Sequence, residues 1–340
     1  MVKIIVDTLG GDHGVSACVE GALSSMNKYP DLNAIFTGDA GAIKREISRL
    51  GGFDGERYEI VHAPEEITGE DKPTDAIRLK RESSMIKGIK ILREDDSVHG
   101  MVSTGATGAL VAAATLRIGR LKNVRRPAFC PILPTMTGGI VGISDSGANM
   151  TVSPDMLLQF AVMGSEYLKG AFGIENPRVA LLNVGVETEK GDDLRKAAYP
   201  LFAESKYINF AGNMESRDLL TGKYDLVVCD GFSGNVLIKS TEGACMEMLK
   251  MLKRDIYSKT KYKIGAAFMK SMFKKEKDFM NYQNYGGSVL LGTEKIIVKG
   301  HGSSKAVAVE KCVEQAYRMK SSGINERIES IFAEIYPENN

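Results

Sequence analysis

Lys295-Ile-Ile-Val-Lys-Gly-His-Gly-Ser-Ser304 is a short β-branched run that stops at glycine and turns through a histidine and two serines. It leads directly into Lys305-Ala-Val-Ala-Val-Glu-Lys-Cys-Val-Glu314, a helical stretch. A strand, a small-residue loop and a helix start in immediate succession form the βα half of a parallel α/β unit. Four further stretches repeat the plan: Met101-Val-Ser-Thr-Gly-Ala-Thr-Gly108, Ile143-Ser-Asp-Ser-Gly-Ala-Asn149, Leu182-Asn-Val-Gly185 with Lys190-Gly191, and Val228-Cys-Asp-Gly-Phe-Ser-Gly-Asn235. Loops of this kind set backbone N–H groups and a helix N-terminus at one edge of a parallel sheet, where anionic oxygens bind. None of the five has Walker A or Gly-x-Gly-x-x-Gly spacing, so the two commonest nucleotide loops are excluded.

The same alternation runs along the chain. Strands are expected at Val2–Asp7, Ala34–Thr37, Tyr58–Val61, Val98–Ser103, Ile140–Asp145, Val179–Val184, Ile208–Phe210, Asp225–Cys229 and Ile296–Lys299. Most are continuous apolar runs, as strands buried on both faces require. Between them lie helical stretches, including Val15–Asn27, Asp75–Leu92, Thr107–Ile118, Asn235–Tyr257 and Pro154–Lys169, the last opened by a capping serine and a proline in Ser153-Pro154. The expected fold is α/β: a mostly parallel sheet with right-handed crossovers and helices on both faces, three layers in all. No Pro/Gly/Ser-rich linker divides residues 1–340, which read as a single domain with an elaboration at about 245–285.

The 340 residues carry a net charge of only +1, which excludes a general nucleic-acid binder. The charge is unevenly spread: Lys250–Lys277 holds ten Lys/Arg against Asp255 and Glu276, a local +8. Five scattered cysteines without Cys-x-x-Cys spacing argue for a reducing compartment and against a disulfide or zinc framework. A strand within two residues of Met1 leaves no room for a signal peptide, and no apolar run reaches the roughly 20 residues of a spanning helix. A cytoplasmic protein is expected, with peripheral contact to the inner face of the cell membrane open to it.

That contact is suggested by the elaboration. Projected as a helix, Ile264, Phe268, Met269, Met272 and Phe273 share one wide arc, and Lys259, Lys263, Lys270 and Lys274 gather opposite. An apolar face with a lysine-rich back fits an interfacial helix on a membrane. It equally fits a helix that covers the core or a second copy of the chain, and the basic face also suits an acidic protein partner.

Several loops offer chemistry. Ser303 and Ser304 at a helix start are expected to cap the helix and donate to a phosphate, with His301 beside them. Thr104, Gly105, Thr107 and Gly108 place hydroxyls and permissive glycines after a strand, as phosphate ligands. Asp7-Thr-Leu-Gly-Gly-Asp-His13 puts Asp7, Gly10, Gly11, Asp12 and His13 at a strand's carboxyl end. Lys190, Lys239, Arg78 and Lys305 are the nearby cations, Lys190 the foremost because it sits between a strand-end glycine and a helix. No serine or cysteine has an evident His/Asp pair, so a covalent intermediate has no support, and the four histidines lack metal-ligand spacing.

Taken in order, Asp7-x-x-Gly-Gly-Asp-His13, Thr104-Gly-x-Thr-Gly-Ala-Leu110, Arg126-Pro127-Ala128, Gly147-Ala-Asn149, Leu157-Leu-Gln-Phe-Ala161 and Leu182-Asn-x-Gly185 with Lys190-Gly191 are followed by Asn209-Phe-x-Gly-Asn213, Cys229-Asp-Gly-Phe-x-Gly-Asn235, Tyr285-Gly-Gly, Leu290-Leu-Gly292 and His301-Gly-Ser-Ser304. This succession closely resembles the bacterial phosphate acyltransferase family (PlsX-type) from about residue 3 to 320. The resemblance implies a phosphotransacetylase/isocitrate-dehydrogenase-like α/β/α fold with a projecting helical hairpin at 245–285. It implies conversion of long-chain acyl-[acyl carrier protein] and inorganic phosphate to acyl phosphate and free carrier protein, for phosphatidic acid synthesis, with no cofactor and no metal. A homodimer, peripheral membrane contact and a downstream membrane glycerol-3-phosphate acyltransferase follow in the same way. Two positions depart from the family's habit: Ala106 stands where asparagine is common, and Lys305 where an acidic residue is usual.

On this footing phosphate attacks the thioester directly. Ser303, Ser304 and the Thr104–Gly108 backbone are expected on phosphate, Lys190 and Lys239 as positive charge, and Asn235, Asn213 or His301 at the oxyanion or thiolate. Asn149, Asp230 and Gly234 complete the candidate pocket. Two rivals stay open: a short-chain phosphate acetyl- or butyryltransferase using acyl-coenzyme A, and a non-catalytic membrane scaffold for lipid-synthesis enzymes.

Overall fold

The computed structural model of the chain describes residues 1–279 and 284–337. Its strands are β1 (Val2–Asp7), β2 (Leu32–Gly38), β3 (Tyr58–His62), β4 (Gly100–Ser103), β5 (Ala128–Cys130), β6 (Ile132–Pro134), β7 (Ile140–Ser144), β8 (Arg178–Asn183), β9 (Asn209–Glu215), β10 (Leu226–Val228), β11 (Ser288–Leu291) and β12 (Ile296–Lys299). They form two sheets, ordered β3-β2-β1-β4-β12-β11-β5 and β6-β7-β10-β8-β9. Pairing is parallel except that β11 opposes both its neighbours and β6 opposes β7.

Alternation along each strand sends side chains to two helical layers. Ile4 and Val6 pack on the side of helices Gly14–Lys28 and Ala306–Ser321, while Ile5 packs with Ser84–Glu94 and Thr107–Ala113. The second sheet repeats this: Val179, Leu181, Leu226 and Val228 face helices Pro154–Phe172 and Asp193–Glu204, and Ala180, Val227 and Cys229 face Leu237. One apolar cluster runs through both sheets, from Ile4 to Leu226. Helix Pro154–Phe172 begins as its sequence dictates, with the Ser153 hydroxyl accepting from the Met156 N–H, and stops at Gly173 in the left-handed region.

Some elements differ from expectation. Asp75–Leu92 is two helices, Pro73–Leu79 and Ser84–Glu94, because the Ser83 hydroxyl accepts from the Ile86 N–H and starts a new one. The short strands β5, β6 and β11 and the last helix, Ile324–Ile335, have no counterpart in the sequence reading. The expected arc at Ile264–Phe273 does not lie on one helix: Thr260–Phe268 ends at Met269, and a second helix runs Lys270–Phe279.

These two helices follow a 28-residue helix, Gly231–Ser258, about 42 Å long at 1.5 Å per residue. Its buried residues are Gly231, Gly234 and Leu237, all in the first two turns, with Ile238 packed beside them, and the residues from Lys250 onward are nearly all exposed. Residues 280–283 of the expected hairpin lie outside the described residues.

Candidate active site

Strands β1, β4 and β12 are neighbours, so their carboxyl-end loops meet. The Thr104 hydroxyl donates to the Gly10 carbonyl at 2.7 Å, the Asp12 N–H to the Gly302 carbonyl at 2.7 Å, and the Gly300 N–H to the Ser103 carbonyl at 2.9 Å. Contact this close excludes side chains. A Cβ on Gly10 (φ +93°) would lie 2.6 Å from the Gly105 Cα, and one on Gly11 (φ +83°) 2.8 Å from the Thr104 Oγ1.

Beneath these loops Asp7 is fully buried and accepts from the hydroxyls of Ser84 at 2.6 Å and Ser103 at 2.7 Å. Burial raises its pKa to about 6 in spite of those bonds. Lys299, the last residue of β12, is also buried; its ammonium donates to the carbonyls of Thr104, at 3.3 Å, and Gly300. Burial lowers its pKa to about 8.

The second sheet supplies the facing wall. Asp145 is buried, and burial raises its pKa; it accepts from the N–H groups of Phe129, Gly147, Ala148 and Asn149 and from the Asn149 amide. The resulting turn packs on the first turn of helix Gly231–Ser258, where a Cβ on Gly234 would overlap the Asp145 carbonyl oxygen. Asp230 caps that helix, accepting from the Ser233 N–H at 2.9 Å and hydroxyl at 2.8 Å and pairing with Arg195. Burial opposes its charge, yet these partners hold its pKa below the usual carboxylate value.

Between the two sheets lies a cleft of about 390 Å³, lined among others by Thr107, Asn235, Lys239, Glu242, Lys299 and His301. The His301 Nδ1 accepts from the Ser303 N–H at 3.2 Å and lies 2.9 Å from the Ser303 hydroxyl. That bond places the neutral imidazole's proton on Nε2. Partial burial, with Lys239 and Lys299 adding to it, lowers the His301 pKa.

The sequence candidates thus separate into groups. Asn235, Lys239, His301 and Thr107 share the cleft wall. Thr104, Gly105, Gly10, Gly11 and Asp7 do not line the cleft; they form the packed junction of the loops, where the Thr104 hydroxyl is committed to Gly10, and Gly108 backs onto Pro73. Ser304 is buried, its N–H bonded to the His301 carbonyl at 3.0 Å. Neither Ser303 nor Ser304 caps the following helix, since the cap position is Lys305, which has no side-chain cap bond.

Asp12 and His13 are exposed at the start of helix Gly14–Lys28. Asn149 and Asp230 hold the frame. Lys190 is exposed and does not line the cleft; its carbonyl accepts from Asn183 beside a separate 540 Å³ cavity at the end of β8. Asn213 is buried in β9 and donates to the Glu187 carbonyl at 2.8 Å, and Arg78 is exposed and paired with Asp75 at 3.7 Å. Lys299 was missed by the sequence reading; its signal was a lysine closing an otherwise apolar strand, between Val298 and Gly300. Among the described residues no cluster of His, Cys, Asp or Glu could hold a metal ion.

The family described as "Fatty acid synthesis protein" matches residues 2–327. The phosphate acyltransferase of Alkaliphilus oremlandii is 40% identical over 96% of this chain and 96% of its own length. That of Halalkalibacterium halodurans is 41% identical over 97% and 95%. The chain belongs to the bacterial phosphate acyltransferase family. Its α/β/α fold is that of the phosphotransacetylases: the Streptococcus pyogenes enzyme aligns with a TM-score of 0.57 over 94% of both chains at 16% identity. A branched-chain phosphotransacylase from Enterococcus faecalis V583 aligns with 0.57 over 94% of this chain and 98% of its own at 14% identity. Ala106 and Lys305 are the cap residues of two helices, and neither lines the cleft.

Proposed function

We propose that the cleft transfers a long acyl chain from acyl-[acyl carrier protein] to inorganic phosphate, releasing acyl phosphate and free carrier protein. The observation that carries this is Lys299, a buried ammonium on the cleft wall whose two hydrogen bonds go to carbonyls. A buried cation costs free energy unless an anion meets it, and Asp7 offsets only part of that cost. Phosphate is an anion that fits a cleft also lined by Lys239 and His301.

In this scheme a phosphate oxygen attacks the thioester carbonyl, the carbon–sulfur bond breaks, and the thiolate leaves with the carrier protein. Lys299 and Lys239 hold the phosphate. Asn235 and the His301 Nε2–H serve the oxyanion or the departing sulfur. No acyl-enzyme is needed, and burial raises the thiol pKa of Cys18 and Cys312 to about 12 and that of Cys130 and Cys229 as well. Ser303 acts through His301, and Ser304 through the turn it closes. Lys190, Arg78 and Asn213 take no part in this cleft.

The helices beyond Gly231 bring the site to its partners. Phe268 is 86% exposed and Ile264 56%, beside Lys259, Lys263 and Lys270, which suits peripheral contact with an anionic membrane. The family resemblance supports a homodimer, and acyl phosphate released from the cleft is consumed by a membrane glycerol-3-phosphate acyltransferase. No helix among the described residues is long and apolar enough to cross a membrane.

Incubation of the protein with palmitoyl-carrier protein and phosphate, followed by hydroxylamine trapping, should yield palmitoyl hydroxamate. Phosphate-independent labelling of the protein by the acyl group would defeat direct attack. The phosphotransacetylase fold favours one second reading, a short-chain acyltransferase using coenzyme A. Faster turnover of acetyl-coenzyme A than of palmitoyl-carrier protein would select it.

A further inference from the structure

Beside the cleft lies an apolar groove of about 270 Å³. We propose that it receives the distal part of the substrate's acyl chain. The proposal rests on the reading of the cleft given above and adds to it the place where the chain goes.

Three residues, Leu133, Glu242 and His301, line both the cleft and the groove, so the two are continuous. The polarity changes along the way. The shared residues include the polar His301 and Glu242; the residues that line the groove alone are mostly apolar, Pro134, Met136, Leu220, Cys245, Met246 and Leu249, with Thr241 and Ser303 the polar ones. A thioester has this same layout, with a polar reacting group at one end and a hydrocarbon tail. Helix Gly231–Ser258 supplies one wall from Thr241 to Leu249, a little over two turns or about 12 Å.

The groove is also uncovered. Met136 is 71% exposed, Met246 54% and Leu249 38%, a concentration of large apolar side chains that solvent does not favour. Methionine is unbranched and adapts to a flexible chain. Continuity with the reacting centre selects the substrate's own tail over a second copy of the protein, which would seat itself on the groove without regard to His301.

Cys245 offers a direct test. It lines the groove and is partly accessible, whereas Cys18, Cys130, Cys229 and Cys312 are buried. Its alkylation by iodoacetamide, followed by mass spectrometry, should slow about tenfold when palmitoyl-carrier protein is present at ten times its Kd. Butyryl-carrier protein, bound to the same occupancy, should slow it far less. Equal protection by both donors, or by neither, overturns the proposal. Protection that appears with rising protein concentration and no donor assigns the groove to a second copy instead.

Turnover gives an independent arm. Leu249→Trp and, on the opposite wall, Met136→Trp should each lower the palmitoyl-to-butyryl ratio of kcat/KM. The drop is on the order of 50-fold if three methylenes lose their cover, at about fourfold each. An unchanged ratio in both variants also overturns the proposal. Should the wild type protect Cys245 selectively with palmitoyl donor yet form no acyl phosphate, the groove stands and the reading of the cleft fails.

Discussion

Lys299 and Asp7 hold adjacent residues of one turn: the lysine donates to the Thr104 carbonyl at 3.3 Å, and the carboxyl accepts from the Ser103 hydroxyl at 2.7 Å. Both are buried, and burial disfavours the charge on each, raising the Asp7 pKa and lowering that of Lys299. Their mutual attraction offsets part of that cost. The turn they grip leads to Thr107 on the cleft wall, so its position depends on two ionisable groups.

Replacing Asp7 should therefore change how stability depends on pH. Its pKa of about 6 lies above the ordinary 3.8, so the folded protein favours the protonated carboxyl. The stability this gives is full below 3.8 and is lost as pH rises through about 6. Asp7→Asn cannot ionise and escapes that loss, which is at most about 3 kcal/mol for two pK units. Thermal melts at acid and mildly alkaline pH should show the variant gaining on the wild type as pH rises. A constant difference would mean that Asp7 does not titrate in this range.

Lys299→Met keeps the bulk of the side chain and removes its charge. If the ammonium meets phosphate, the variant loses a charge-assisted hydrogen bond of about 1.5–3 kcal/mol, or roughly 10- to 100-fold in the KM for phosphate. The KM for the acyl donor should hold. The wild-type KM for phosphate should itself rise as pH passes about 8, where Lys299 loses its proton. A donor KM that moves as much as the phosphate KM would show that the variant has disturbed the cleft as a whole.

Gly234→Ala places a methyl group on the Asp145 carbonyl oxygen. Either the turn at Asp145–Asn149 or the start of helix Gly231–Ser258 must give way. Overpacking of this kind costs about 1–3 kcal/mol. The shift also moves Asn235 and Lys239, one and five residues further along the helix and both on the cleft wall. Melting temperature and kcat/KM should fall together. A variant as active and as stable as the wild type would show that the helix start is not set by this contact.

The loops were legible because their chemistry is local. Gly10, Gly11, Gly105 and Gly234 announce close backbone approach, and the strands before them are plain apolar runs. What escaped depends on how separate loops meet. The Leu182–Gly191 stretch reads as the end of a strand, but nothing in it says that this end faces another cavity, so Lys190 stood ahead of Lys239. Ser303 and Ser304 have the composition of a cap, but the turn closed by the Ser304 N–H on the His301 carbonyl moves the cap to Lys305. Lys299 read as an ordinary strand end because its burial comes from the packing of β4 beside β12. The break at Met269 escaped because the apolar and basic positions stay in phase across it.

Membrane contact through the outer helices gives the last prediction. Phe268 and Ile264 sit on helix Thr260–Phe268 among lysines, and both are more than half exposed. Each apolar side chain buried in a bilayer interface contributes about 1.5–3 kcal/mol, so Phe268→Asp with Ile264→Asp should cut liposome partitioning at least tenfold. The lysines add about 1 kcal/mol each near an anionic surface, a contribution that salt screens. Flotation on anionic vesicles should therefore weaken with salt in both proteins, with the double variant at least tenfold below the wild type at each salt. Affinity for carrier protein should be the same in both. Unchanged flotation of the variant with lost carrier binding would assign Phe268 and Ile264 to the carrier protein instead of the membrane.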